Sequence, residues 1–525
     1  MNKPNVILMF VDDLGIGDIS AFNPEGKIHT SHVDRLARDG MMFTDSHSCS
    51  ALCTPSRYSL LTGRYPWRSR LKFLVLPGDS DPLIEKDRMT MAHMFKNAGY
   101  RTACVGKWHL GLEWAVNEHP APEDFGESPE YYENLKVRGG QRLPSTHLGR
   151  VNPVQGLDID YSKPITYGPN QYGFDYFYGL PASLDQPPFV YIENDRVLEM
   201  PTAVSGHIKL DRDGASMQSQ WERGPIAPSY DHEQVLDDMN DKVLELIDHY
   251  SDGDEPFFIY YPTPAVHGPL LPNKKFKGSS GLNLYADVVL QVDDMVRQIT
   301  EKLKAKGIYE DTIFIFTSDN GCSGVADYPF LLSKGHNPSA IYRGKKGAIY
   351  EGGHRVPTIV SWPAAIPAGT VCDSLVCHSD FFRSFSDILG ISLPDNAAED
   401  SISNLPLWKD PKASVREDAV FACSSGYMAI EKDGWKLELC ENGGDTPKAM
   451  GSAFQGRPVD QKFELYNLRS DVRETTDVYE QQPEIVEQLK QQLTKRLDDG
   501  RTTDGAPQEN FVPEDELWVQ INWKM

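Results

Sequence analysis

Several short segments of this 525-residue chain place polar residues just after apolar runs. Val6–Val11 ends in Asp12-Asp13, and Thr312–Thr317 ends in Ser-Asp319-Asn320-Gly. Pro256–Tyr261 is followed shortly by His267-Gly268, and a shorter run at Thr102–Val105 leads to Lys107-Trp-His109. Asp12, Asp13, Asp319 and Asn320 are oxygen ligands of the kind hard cations take. Three carboxylates and an amide favour Ca²⁺ or Mg²⁺ over zinc. An isolated Asp-Asp pair is more often a solvated loop, and Ser-Asp-Asn-Gly alone is a turn. Each follows a buried-strand signal, however, and together they point to a metal site. Lys107, His109, His267 and Lys346 supply positive charge and proton-transfer capacity. Taken singly, a histidine is usually a hydrogen-bonding residue and a lysine a solvated one. The strand-end context lifts the first three above that. Lys346, in Arg343-Gly-Lys-Lys-Gly347, lacks it.

Cys53 precedes Thr54-Pro55 and an apolar helical run, so it sits at a helix N-terminus, with Pro55 suited to the first turn. Such a position lowers a thiol pKa and favours anions. The expectation is a reactive thiol; the alternative is a half-buried small residue.

The elements that must position these residues alternate between strands and helices. Helical patterns cover Ser31–Arg38, Thr90–Gly99 and Asn283–Lys306, and Val356–Trp362 is a further strand. This predicts an α/β fold with a large mixed, mostly parallel sheet sandwiched by helices. Ligands of such sheets bind outside the carboxyl ends of the strands. Beyond about Asp395 the texture changes to short strands at 419–423, 427–431, 435–439 and 463–466, then a helix from Pro483 to about Leu497. We therefore expect an N-terminal catalytic domain over 1–395. A C-terminal subdomain over 396–525, a small antiparallel sheet with one helix, should follow. Stretches 113–170 and 199–229 are expected to be irregular surface insertions.

Composition sets outer limits. A hydrophobic fraction of 40% and a charged fraction of 24% fit a globular protein rather than a disordered one. The net charge of −24 argues against nucleic acid and anionic membrane surfaces as partners. It leaves room for an anionic substrate in a locally basic pocket. Eight cysteines are too sparse for a disulfide scaffold, and no CxxC pair occurs. Cys372 and Cys377 are either a local bridge or two ordinary thiols. The first apolar run is too short for a bilayer and lacks the features of a secretory signal. The chain reads as cytoplasmic, or as a mature form whose leader was removed.

Cys53-Thr-Pro-Ser-Arg57, extended to Leu61-Thr-Gly-Arg64, resembles the signature of type I, formylglycine-dependent sulfatases of the alkaline phosphatase superfamily. It is joined in family order by Gly106-Lys-Trp-His-Leu-Gly111, Val266-His-Gly-Pro269, Thr317-Ser-Asp-Asn-Gly321 and Gly347-Ala-Ile-Tyr-Glu-Gly-Gly353. Glu464-Leu-Tyr-Asn-Leu468, with Asp471 and Glu474, resembles the family's C-terminal motif, whereas Glu399–Pro406 matches only loosely. The resemblance implies an arylsulfatase-like hydrolase of sulfate esters, acting on a sulfated glycan or aryl sulfate. It implies conversion of Cys53 to formylglycine by a formylglycine-generating or anaerobic sulfatase-maturating enzyme. It implies one Ca²⁺ held by Asp12, Asp13, Asp319, Asn320 and the modified Cys53. Arg57 would orient the formylglycine, and Lys107 and Lys346 would hold the sulfate. His109 would be the base that helps expel sulfate, and His267 would protonate the leaving alcohol. Trp114, His119, Arg142, His147 and His336 are the candidates for a sugar subsite. Two alternatives are a phosphodiesterase or phosphonate monoester hydrolase of the same superfamily, and a non-catalytic binder of sulfated glycans.

Overall fold

The computed structural model describes residues 3–117, 122–125, 128, 156–207, 218–445 and 462–511. Its centre is a ten-stranded sheet. In spatial order the strands are Thr370–Cys372, Met41–Phe43, Thr358–Ser361, Thr312–Ser318, Asn5–Val11, Phe257–Tyr261, Arg101–Lys107, Tyr176–Leu180, Ile192–Glu193 and Arg196–Val197. Four of these carry the chemistry: β1 (Asn5–Val11), β2 (Arg101–Lys107), β3 (Phe257–Tyr261) and β4 (Thr312–Ser318). They are mutually parallel, in the order β4, β1, β3, β2. Strand 176–180 extends the parallel set, while 358–361 pairs antiparallel with β4. Every residue of β3 and β4 is buried, as the unbroken apolar runs require for strands covered on both faces.

The helices cover those faces. Leu284–Ala305 is capped by Asn283, whose side chain accepts the Ala286 N–H, and it buries Val288, Val292, Met295, Val296 and Ile299. Met91–Asn97 is capped by Thr90 through the His93 N–H. These boundaries match the sequence expectation to within a few residues. The small sheet is antiparallel in simple sequential order: Asp418–Ala422, Met428–Lys432, Trp435–Glu438 and Glu464–Asn467. The helix Pro483–Asp499 buries Val486, Leu489, Leu493 and Leu497 on it.

Two expectations need correction. The stretch 199–229 is not wholly irregular: Ala203–Ser205 and Gly224–Ile226 form a two-stranded antiparallel ribbon. Nor is 113–170 simply a surface insertion, because Trp114, Ile159, Tyr161 and Ile165 are buried in the main core. Their aromatic and β-branched side chains were hidden among prolines, glycines and charges. All eight cysteines are free and buried, so Cys372 and Cys377 are ordinary thiols. Among the described residues, no helix is long and apolar enough to cross a membrane.

Candidate active site

The ends of β1, β2, β3 and β4 deliver the polar residues to one place, because parallel strands all present their carboxyl ends on the same edge. The ladder continues past the strands. The Asp12 N–H donates to Ala265 O at 2.6 Å and the Val266 N–H returns to Asp12 O at 2.5 Å, which seats His267 beside Asp13. The Asp319 N–H donates to Val11 O at 2.9 Å, and the Lys107 N–H to Pro262 O at 2.7 Å. Gly106 is required here: at φ +134° it turns the chain, and a Cβ would lie 2.1 Å from Pro262 O. Asp13 (φ 61°) and His109 (φ 55°) hold left-handed conformations that non-glycine residues rarely adopt.

Asp12, Asp13, Asp319 and Asn320 are all fully buried. The Asn320 amide nitrogen donates to Asp13 Oδ1 at 2.8 Å, and the Asp13 N–H to Asp319 Oδ1 at 3.1 Å. Asp12 Oδ1 and Asn320 Oδ1 are buried with no hydrogen-bond partner. Ligand atoms of Asp12, Cys53 and Asp319 lie within 4.8 Å of one another. Two orphaned oxygens in a nest of carboxylates fit a hard divalent cation. The Cys53 sulfur is the one soft donor in an otherwise all-oxygen set.

Cys53 is the first residue of helix α1 (Cys53–Thr62) and is 2% exposed. Burial pushes its thiol up, outweighing Lys107 and Lys346, so the expectation of a helix-lowered thiol pKa fails. Arg57, one turn along α1, donates to Asp319 Oδ2 at 2.7 Å and to Lys107 O at 3.1 Å, and lies 3.7 Å from Asp12. Lys107 Nζ meets Asp12 Oδ2 at 2.5 Å, both side chains fully buried. Lys346 Nζ lies 2.7 Å from Asp13, and its backbone N–H donates to Cys322 O at 3.0 Å.

The electrostatics are mutual. Burial works to raise Asp12, yet Lys107, His267, Arg57 and Lys346 together hold its carboxyl well below the usual range. Burial and the Asp12 charge push Asp319 up to about 7, against Arg57 and Lys107. Burial opposes the Lys346 ammonium, but Asp13 more than offsets it and raises its pKa. Burial, then Lys107 and Arg57, force His109 far below the ordinary histidine value, so it is neutral. Its Nε2 lies 2.8 Å from Leu76 O, which can only accept. Nε2 therefore carries the hydrogen, and Nδ1, buried without a partner, is a bare basic nitrogen. His267 Nδ1 donates to Gly268 O at 2.7 Å, leaving Nε2 3.8 Å from Asp13 Oδ2.

The structure thus gathers Cys53, Arg57, Lys107, His109, His267 and Lys346 around Asp12, Asp13, Asp319 and Asn320. It does not bring two of the sugar-subsite candidates, Trp114 and His336, to them. His336 is fully buried, its Nε2 2.8 Å from Asp18 and its Nδ1 accepting the Lys27 N–H. Trp114 donates to Gly78 O at 3.1 Å and packs edge-on to Tyr161. Both are core residues. His119, Arg142 and His147 lie outside the described residues. The sequence reasoning missed Asp185, whose Oδ1 is 3.7 Å from His267 Nδ1. It follows strand Tyr176–Leu180, so the same strand-end rule would have found it had that glycine-containing run been recognised.

A sulfatase family model matches residues 4–391. An N-acetylgalactosamine-6-O-sulfatase of Bacteroides thetaiotaomicron is 34% identical over 522 residues, covering 94% of this chain and 92% of the relative. An arylsulfatase of Hemicentrotus pulcherrimus is 28% identical over 442 residues, covering 83% and 67%. A solved structure from work on metabolism of multiple glycosaminoglycans by Bacteroides thetaiotaomicron superposes with a TM-score of 0.76 at 30% identity, covering 94% of this chain and 99% of the other. The strand-end site, the alkaline-phosphatase-like sheet and these likenesses agree: the chain belongs to the sulfatase family, hydrolases of sulfate esters.

Proposed function

We propose that this protein removes sulfate from a sulfated carbohydrate, using a formylglycine formed from Cys53 and a Ca²⁺ ion. The observation that supports this most is the convergence of four oxygen ligands, two lysines, an arginine and two histidines around the first residue of α1. Asp12, Asp13, Asp319 and Asn320 would hold the ion, which supplies positive charge against the sulfate and the attacking oxygen. As an aldehyde hydrate, residue 53 would offer one hydroxyl to attack sulfur and a second whose deprotonation expels sulfate, and it would replace the soft sulfur with oxygen.

The chain's own residues divide the remaining work. Lys107 and Lys346 neutralise sulfate oxygens and offset the repulsion between an anionic ester and an incoming nucleophile. Arg57 ties Asp319 and the Lys107 carbonyl to α1, fixing the distance between residue 53 and the ligand set. His109, neutral and with Nδ1 bare, takes a proton from residue 53. His267, 14% exposed at the rim, gives a proton to the departing sugar oxygen. Asp185 stabilises the charge that His267 must carry to do so.

The likeness to an N-acetylgalactosamine-6-O-sulfatase makes a 6-O-sulfated N-acetylgalactosamine the first substrate to try. The test is a desulfation screen on defined sulfated mono- and oligosaccharides, with Cys53 conversion checked by peptide mass. 4-Nitrophenyl sulfate, phosphate and phosphonate are compared alongside. Sulfate release from a sugar is expected. Faster phosphonate than sulfate turnover, or sugar binding without any sulfate release by converted protein, would overturn the proposal.

A further inference from the structure

Lys346 is delivered to the site neither by a central strand nor by helix α1. It rides on the loop from Arg343 to Gly353, which must be held in some other way. The catalytic side supplies three ties. The Lys346 N–H donates to Cys322 O at 3.0 Å, and the Gly347 N–H to Ala51 O at 2.9 Å. The Gly321 N–H, next to Asn320, donates to Gly353 O at 2.9 Å.

The small C-terminal sheet supplies the rest. Glu474 is fully buried and sits at φ 51°, an uncommon conformation for a glutamate. Its Oε2 accepts the Glu351 N–H at 2.8 Å, and its carbonyl accepts from the Arg343 guanidinium at 2.6 Å. One residue therefore grips the loop on both sides of Lys346. Lys436, also fully buried, tightens the grip: its Nζ donates to Glu474 Oε1 at 2.8 Å and Glu351 Oε1 at 2.9 Å. Tyr350 adds a bond from its hydroxyl to Glu464 at 3.2 Å, and the Arg343 guanidinium lies 3.9 Å over the Tyr350 ring.

The neighbouring His47, Glu351 and His354 have the chemistry of metal ligands. The Lys436 ammonium already provides the cation there, 3.2 Å from His354 Nε2. His47 Nε2 is engaged by Asp45 at 2.8 Å. The cluster is a buried ionic network centred on Lys436, which also faces Glu438 at 3.6 Å. Such buried networks add little net stability relative to an apolar core, and their best-attested use is to fix a geometry.

We propose that Glu474, held by Lys436, is a positioning residue for sulfate binding: the C-terminal sheet sets Lys346 against the sulfate from behind. This rests on the assignment of Lys346 to the sulfate. The test measures binding of inorganic sulfate by calorimetry to calcium-loaded protein with Cys53 converted, together with KM for a sulfate ester. Glu474→Ala is expected to weaken sulfate binding about tenfold or more, the size of one misplaced charge-assisted contact, and to raise KM with it. Metal content should not change. Leu493→Ala, which removes a buried contact of helix 483–499 on the same sheet, controls for simple loosening. It should lower Tm and leave sulfate affinity as in the parent. If Glu474→Ala does not fold, Glu474→Gln carries the same test, since it keeps an acceptor for Glu351 but loses the charge facing Lys436. Parental sulfate affinity in a folded Glu474 variant, or equal weakening in Leu493→Ala, overturns the proposal. No sulfate-ester turnover by the parent protein would instead overturn the function proposed above.

Discussion

In the proposed mechanism Asp319 serves both the metal and the fold, and Asp319→Ala separates the two contributions. Its Oδ2 accepts from Arg57 at 2.7 Å and its Oδ1 from the Asp13 N–H at 3.1 Å. Asp12, Asp13 and Asp319 face Arg57, Lys107 and Lys346 in the same buried cluster, so the formal charges cancel. Removing Asp319 leaves one positive charge in excess. Breaking a buried ion pair costs about 3–5 kcal/mol. Arg57 keeps Asp12 at 3.7 Å, which places the expected stability loss near the lower end. For a divalent cation, the missing oxygen and the excess positive charge act in the same direction. A fall in affinity of about 100-fold, or about 2.7 kcal/mol, is the minimum expected. At calcium about 100 times Kd, the parent gains about 2.7 kcal/mol of stability, and chelation removes it. In Asp319→Ala this calcium-dependent stabilisation should fall to about 0.4 kcal/mol or less, and elemental analysis after gel filtration should find no bound ion. Asp319→Asn, which keeps the shape and an acceptor for Asp13, should lose the ion with a smaller loss of fold stability. An Asp319→Ala protein with the parent's metal content and the same Tm shift on chelation would refute the ligand assignment.

Three other outcomes are expected. Cys53→Ala should abolish turnover while costing only about 1 kcal/mol of stability, since a single buried atom is lost; retained activity in a pure preparation would contradict a role for residue 53. His267→Ala should slow release of a sugar alcohol by about 10²–10⁴-fold but affect 4-nitrophenyl sulfate much less, because a good leaving group needs no proton; equal losses on both would exclude His267 as the acid. Two buried histidines should each contribute a loss of stability on acidification below about pH 6.5: burial holds His378 down at about 3 and His232 at about 4, so at these sites the unfolded chain binds protons that the folded one does not. Each such histidine steepens the loss by about 1.4 kcal/mol per pH unit above its folded pKa. His378→Gln should flatten urea-unfolding stability measured between pH 6.5 and 4.5, and an unchanged slope would refute the assignment.

Much of the site was legible because it lies at the ends of strands. Buried parallel strands leave unbroken apolar runs, and the polar residues after Val11, Tyr261 and Ser318 are where the sheet must present its ligand edge. Asp185 escaped because Tyr176–Leu180 is short, half-exposed on one face and broken by a glycine. His336 and Trp114 were misassigned because type and loop context do not reveal whether a ring faces solvent or the core.

By itself, the sequence determined the α/β architecture, the extents of the main helices, and the identity of the residues that converge. These depend on local periodicity, which neighbours in the chain encode. Only the tertiary structure decided their charge states and supports. The raised thiol of Cys53 follows from burial, the bare Nδ1 of His109 from burial with Nε2 bound to Leu76 O, and the raised pKa of Asp319 from burial beside Asp12, at the far end of the chain. The grip of Glu474 on the Lys346 loop is of the same kind. It joins residues 474 and 436 to 343 and 351, and nothing in local pattern records a bond between elements that meet only after the chain has folded.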